Sequence, residues 1–381
     1  MTVVIHSVRL VDEGRVMPDA WLAFADGVVS ATGTGDDWRR LPVASAVDGA
    51  GRFLTPGFID LHVHGGGRAS FDEGADAIVR ARALHRAHGT TRAVVSLVTA
   101  SLDDLCARAA VVADLAERDA TILGSHLEGP FLDPGHKGAH TASLLREPDR
   151  ESIDRLLEAG RGTIRQVTIA PELPGAIDAI TRLTDAAVVA AVGHTAATAA
   201  QAAAAFDAGA TLLTHAFNAM PGIHHRAPGP VVAAMRDPRV TLELIADGIH
   251  VHPDVVALVF AGAPGRIALI TDAMAAAGAA DGSYELGGLA VTVSDGTARL
   301  DSDGAIAGST LTQDAALRNV VAAGTPLPDA VAALTSVPAR VLGHQGRYGS
   351  LRIGSAADAV LLDDALGVQG VWVDGLPLAR V

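Results

Sequence analysis

Residues 186–220 read AAVVAAVGHTAATAAQAAAAFDAGATLLTHAFNAM. An apolar run of strand length ends at Gly193, His194 and Thr195, and an alanine-rich stretch of helical length follows. Thr195 or Thr198 can cap that helix and Gly209 can end it, after which a second apolar run closes on Thr214 and His215. A strand, a helix and another strand in this order form a βαβ unit, whose two strands are parallel.

The same rhythm extends outward in both directions. Runs of this kind stand at 55–64 (TPGFIDLHVH), 90–100, 121–130 (TILGSHLEGP), 163–172, 186–195, 210–220, 239–250 (RVTLELIADGIH) and 266–274 (RIALITDAM). Eight of them, separated by helical stretches, predict an α/β chain built as a closed (β/α)8 TIM-like barrel. The eighth unit is interrupted at 282–303 by a segment that reads as a β-hairpin around Asp295-Gly296, so the last barrel helix is expected after Thr310. Both chain ends have a different texture, with short alternating strands and tight turns at Asp26-Gly27 and Asp374-Gly375. A lone hairpin is not stable, so residues 1–52 and 345–381 are expected to pair as a small β-sandwich domain beside a barrel domain at 53–344.

Composition narrows the function. The 381 residues carry 29 Lys+Arg against 43 Asp+Glu, a net charge of −14, with 49% apolar residues. An acidic chain without basic clusters is a poor partner for nucleic acid, whose phosphates are bound mainly by Lys and Arg. No uninterrupted apolar stretch is long enough for a membrane span, and the start lacks the pattern of a signal peptide, so a soluble cytoplasmic protein is expected. Cys106 is the only cysteine and reads as apolar packing in a helix; any metal must therefore rest on imidazoles and carboxylates.

The polar residues fall where a barrel would use them. His62 and His64, His126 and Glu128, His194, His215 and Asn218, Asp247 and His250, and Asp272 all stand at the C-terminal ends of the apolar runs. In a closed barrel those ends meet at one mouth, the face on which such barrels build their sites. His62 and His64 are two apart on a strand and share a side, so both can hold one ion. A bare His-x-His is as easily a polar edge, but here it opens into Gly65-Gly66-Gly67 after a buried-looking strand. With Glu128, His194 and His215 it makes a set of nitrogen and oxygen donors suited to zinc or iron rather than magnesium. Asp272 could cap a following helix; beside an acidified water it would instead take and return a proton. Arg226, next to His224 and His225 in a Gly- and Pro-containing loop, offers a fork for a phosphate dianion or merely an exposed basic turn. Lys137, the only lysine, lies in the loop PGHKGAH and not at the end of the fourth run, so no lysine there can bridge two ions.

PGFIDLHVHG, GHT, THAFNAM and ITDAM together resemble the amidohydrolase superfamily, and HLEGPF, HKGAH, HAFNAM, HHR and ADGIHV resemble, within it, the family of N-acetylglucosamine-6-phosphate deacetylases along nearly the whole chain. The resemblance implies Glu128, His194 and His215 as the main metal ligands and Asp272 as catalytic acid and base. It implies Ala139 and His140 as a substrate-contacting pair, with His140 orienting the amide carbonyl. Asn218, Ala219, His250 and Ile306, Ala307 and Gly308 are implied to contact the sugar, and Arg226 the phosphate. It further implies a homodimer acting on a small amino-sugar phosphate in amino-sugar catabolism, with Arg226 serving its own or the neighbouring subunit's pocket. Some members lack the His-x-His pair and use one divalent ion, whereas His62 and His64 leave one or two open here. Two other readings stand beside this one: a dipeptidase or cyclic amidase, and a barrel that has lost catalysis and serves as a scaffold. The filled ligand positions and Asp272 weigh against the scaffold.

Overall fold

The architecture, a computed structural model in which residues 2–378 are described, is organised around a parallel sheet. Among the described residues its strands follow chain order as β1 (Phe58–Val63), β2 (Thr90–Val98), β3 (Ile122–Glu128), β4 (Ile164–Ile169), β5 (Val189–Val192), β6 (Leu212–Leu213), β7 (Thr241–Ile245) and β8 (Ile267–Ile270), each paired in parallel with the next. The ring closes just beyond β8, where Asp272 N donates to the His62 carbonyl and His64 N to the Ala273 carbonyl, each at 2.8 Å. The helices between strands are α1 (Ala75–Ala87), α2 (Leu102–Arg118), α3 (Arg150–Gly160), α4 (Ala176–Asp185), α5 (Ala199–Asp207), α6 (Gly229–Arg236), α7 (Pro253–Gly262) and, after the interruption, α8 (Gln313–Ala322). The architecture is the (β/α)8 barrel expected from the eight runs.

Local chemistry explains the boundaries. Thr198, not Thr195, caps α5: its hydroxyl accepts from Gln201 N while Gln201 Oε1 accepts from Thr198 N, a reciprocal capping box. Ser101 and Asp149 cap α2 and α3 one way only, their side chains accepting from Asp104 N and Ser152 N. The segment after β8 is a three-stranded meander (Gly282–Leu286, Leu289–Ser294, Thr297–Leu300) and not a single hairpin, because a Gly287-Gly288 turn, with both residues at positive φ, adds a strand.

Both chain ends meet in a second sheet. Its order from one edge is Leu376–Pro377, Val368–Val373, Ala359–Leu362, Phe53–Pro56, Val3–Asp12, Arg15–Ala25 and Val28–Thr34, with Ser45–Asp48 also paired to Val3–Asp12. Ile5, Leu22, Phe24, Leu54, Leu361 and Trp372 from both ends share one core. Phe53–Pro56 belongs to this sheet, so the boundary expected at residue 53 falls at the start of its last N-terminal strand. The Asp26-Gly27 and Asp374-Gly375 turns have both residues at positive φ, as does Asp295-Gly296 in the meander, the geometry that two-residue hairpins need.

Arg92 of β2 ties the barrel to this sheet. Its fully buried guanidinium donates from Nε to Asp358 Oδ2 and from Nη2 to Asp374 Oδ1, both at 2.6 Å, and from Nη1 to the Ala120 carbonyl at 2.8 Å. It also lies 4.0 Å over the Tyr348 ring.

Candidate metal centre

The alternation of β1 sends Ile59 and Leu61 toward the packed helices and Asp60 and His62 into the barrel. Asp60 accepts from the Thr271 hydroxyl at 2.7 Å and from His62 N at 3.2 Å, fixing the end of β1 to the end of β8. His62 and His64 thus emerge side by side, their Nε2 atoms 3.0 Å apart and their side chains almost fully buried. Glu128, the last residue of β3, reaches between strands. Its Oε1 lies 3.1 Å from His194 Nε2, 3.1 Å from His215 Nε2 and 3.3 Å from His62 Nε2, and its Oε2 lies 3.0 Å from His64 Nε2. Asp272 Oδ1 is 3.4 Å from both His62 Nε2 and His64 Nε2.

His194, His215 and Asp272 follow β5, β6 and β8 with φ of 48°, 26° and 50°. Left-handed backbone costs a non-glycine residue roughly 1–2 kcal/mol, and here it falls on three residues of the cluster, at the ends of β5, β6 and β8. Asp272 starts no helix, which removes its capping role.

The donor atoms fit a metal. Two overlapping groups, His62, His64, Glu128 and Asp272, and Glu128, His194 and His215, each have their donor atoms within 4.8 Å of one another. Zinc–ligand bonds near 2.0–2.1 Å in a tetrahedron put neighbouring donors about 3.3 Å apart, close to the spacings here. His194 Nδ1 donates to the His136 carbonyl at 2.9 Å, which leaves its Nε2 lone pair facing the cluster. Glu128 belongs to both groups.

The electrostatics match this chemistry. Burial opposes charge on Glu128, but His62 and the polar contacts with His140, His194 and His215 outweigh it and hold the carboxyl well below its ordinary range. Asp272 is likewise opposed by burial, yet His62 and His64 bring it down to about 2, so it is ionised at neutral pH. Burial pushes His140 down to about 4 and keeps it neutral. His140 Nδ1 is 2.8 Å from Thr99 Oγ, and its Nε2 faces Glu128 Oε2 at 3.6 Å.

Above the cluster lies a cavity of about 370 Å³. Its lining includes Ala139, His140, Asn218, Ala219, His250, Ile306 and Gly308, together with His64, Glu128, His194, His215 and Asp272. His250 is held by Asp247, whose Oδ2 lies 2.7 Å from its Nδ1. His62 lies beneath the lining, and Ala307 is fully buried behind it. Arg226 does not line the cavity: it is exposed in the loop that carries His224 and His225. Several lining residues escaped sequence reasoning. His136 and Gly138 sit in the quoted HKGAH loop, whereas Val98 and Leu286, the latter from the meander, look like ordinary apolar residues. Glu243 was also missed, although a single charge inside the apolar TLELIA is a visible anomaly.

Comparison with known proteins agrees with the geometry. The amidohydrolase family model matches residues 53–378. An N-acetylgalactosamine-6-phosphate deacetylase of Escherichia coli O157:H7 is 42% identical, covering 98% of this chain and 99% of its own. An N-acetylglucosamine-6-phosphate deacetylase of Bacillus subtilis is 35% identical, over 95% of this chain and 93% of its own. Among solved structures, an aspartate-to-alanine variant of N-acetyl-D-glucosamine-6-phosphate deacetylase from Mycobacterium smegmatis, in complex with N-acetyl-D-glucosamine 6-phosphate, superposes with a TM-score of 0.93 at 43% identity, covering 99% of this chain and 98% of that one.

Proposed function

The chain belongs to the amidohydrolase family, and on that premise we propose that it hydrolyses the acetamide of N-acetyl-D-glucosamine 6-phosphate to D-glucosamine 6-phosphate and acetate. The observation that carries this reading is the convergence of Glu128, His194, His215, His62 and His64 on one point at the floor of the cavity, with the Asp272 carboxylate beside them.

An amide is a poor electrophile and its hydrolysis builds charge on the carbonyl oxygen. Glu128, His194 and His215 would hold a divalent ion, zinc or iron, with His62, His64 and Asp272 available to a second, and the chemistry it would supply is Lewis acidity and an acidified water. Asp272 accepts the proton of the attacking water and delivers it to the departing amine. His140 donates from Nε2 to the amide oxygen, which requires the single Thr99 hydroxyl proton to turn from the Glu128 carbonyl to His140 Nδ1. Asn218, Ala219, His250 and the 306–308 loop bind the sugar. Arg226, outside its own chain's cavity, serves as the phosphate ligand of a neighbouring subunit in a homodimer. We assign the enzyme to the cytoplasm, in amino-sugar catabolism, with residues 57–344 as the catalytic domain and 1–56 with 345–381 as the smaller one.

The Escherichia coli relative favours a second reading in which the 4-epimer, N-acetylgalactosamine 6-phosphate, is the substrate. Acetate release measured on enzyme of known metal content, with both sugar phosphates and unphosphorylated N-acetylglucosamine, tests the proposal. The glucosamine phosphate is expected to have the highest kcat/KM. A higher value for the galactosamine phosphate would select the second reading, and a higher value for the unphosphorylated sugar would remove both.

A further inference from the structure

Glu243 is a carboxylate with no solvent exposure, set inside the barrel on β7. Burying such a charge is costly unless donors surround it. Gln166 Nε2 donates to its Oε1 at 2.9 Å, while His62 Nδ1 and His215 N approach its Oε2 at 3.3 Å and 3.4 Å. Two of the three donors therefore belong to residues of the metal cluster, one from each ligand group. His64, the other half of the His-x-His pair, has no partner for its Nδ1 among the described residues. The anchored member of the pair is His62.

We propose that Glu243 is a positioning residue that makes His62 a metal ligand and so sets whether the chain holds a second ion. With Nδ1–H donated to Glu243, the His62 lone pair is fixed on Nε2, which faces His64, Glu128 and Asp272 at 3.0–3.4 Å. A carboxylate placed behind an imidazole orients the ring and strengthens its basicity as a ligand. The His62 ring also packs edge-on against His126 at 4.5 Å, and His126 is itself held by Ser96 and Thr168. The ring plane is therefore constrained from the side as well as from behind. The inference rests on the amidohydrolase reading of the cluster as a metal centre.

Its test counts ions and does not need substrate. Glu243→Gln keeps the shape but turns an amide NH2 toward the His62 and His215 donors or toward Gln166. By metal titration and mass spectrometry the variant is expected to keep one ion per chain and to bind the second on the order of 10- to 100-fold more weakly. His62→Asn should show the same loss, and the double variant no further one. Two ions bound as tightly as in the parent, or losses that multiply in the double variant, would overturn the proposal. Should Glu243→Gln fail to fold, as judged by circular dichroism, Gln166→Met decides the matter. That variant frees Glu243 on one side and should weaken the second ion by a smaller factor, and unchanged affinity would overturn the proposal. A chain that released no acetate yet lost its second ion in Glu243→Gln would defeat the substrate reading while leaving this one standing.

Discussion

Asp272 combines three properties that rarely meet in one residue: a left-handed backbone, a buried carboxylate and a low pKa. Replacing it by Asn keeps the shape and removes the base, so acetate release should fall by about 10²- to 10⁴-fold while the Glu128, His194 and His215 ion stays bound by mass spectrometry. Thr99 makes a finer test. Its hydroxyl lies 2.8 Å from His140 Nδ1 and 3.0 Å from the Glu128 carbonyl, so its one proton, given to either, sets which nitrogen of the imidazole can donate. Thr99→Val removes one hydrogen bond worth on the order of 1 kcal/mol, and steady-state kinetics should show the loss in kcat with KM nearly unchanged. At this scale the cluster was legible because imidazoles and carboxylates at the ends of apolar runs have little packing value. Thr99 and Glu243 were not, since a threonine in a strand is ordinary and the His62 partner of Glu243 is 181 residues away.

At the scale of elements, α5 links the strands that deliver His194 and His215. Its capping box predicts that Thr198→Ala lowers stability by about 1 kcal/mol in urea unfolding, with activity retained because Thr198 is exposed and outside the cavity. The βαβ unit around this helix was readable because cap, alanine run and glycine all agree. The meander was misread by one strand: Asp295-Gly296 announces a two-residue turn plainly, whereas Gly287-Gly288 resembles loop composition. That extra strand matters to the site, since its end residue Leu286 lines the cavity.

For the whole molecule, the joint between barrel and terminal sheet is electrostatic at its centre. Arg92→Met would leave the buried Asp358 unpaired and should destabilise the chain by roughly 3–5 kcal/mol, read by chemical unfolding. A second test uses pH. Asp12 in the terminal sheet is raised by burial to about 6, with Leu351 N as its donor. A carboxyl raised on folding gives stability that is full below its unfolded value and is lost as pH climbs through about 6. Asp12→Asn should therefore gain in Tm over the parent between pH 4 and pH 7, and an unchanged difference would show that Asp12 is not the titrating group. The pairing of the two chain ends was legible because neither is stable alone. Their joint through Arg92 was not, because Asp358 and Asp374 lie more than 260 residues from it.

Lys137, between the cavity residues His136 and Gly138, is partly accessible and has no other lysine to compete with it. Apart from the α-amino group, an amine-directed dye or spin label has one address on this chain, and that address is the rim of the pocket. Ligand entry could then be followed optically on the unmutated protein.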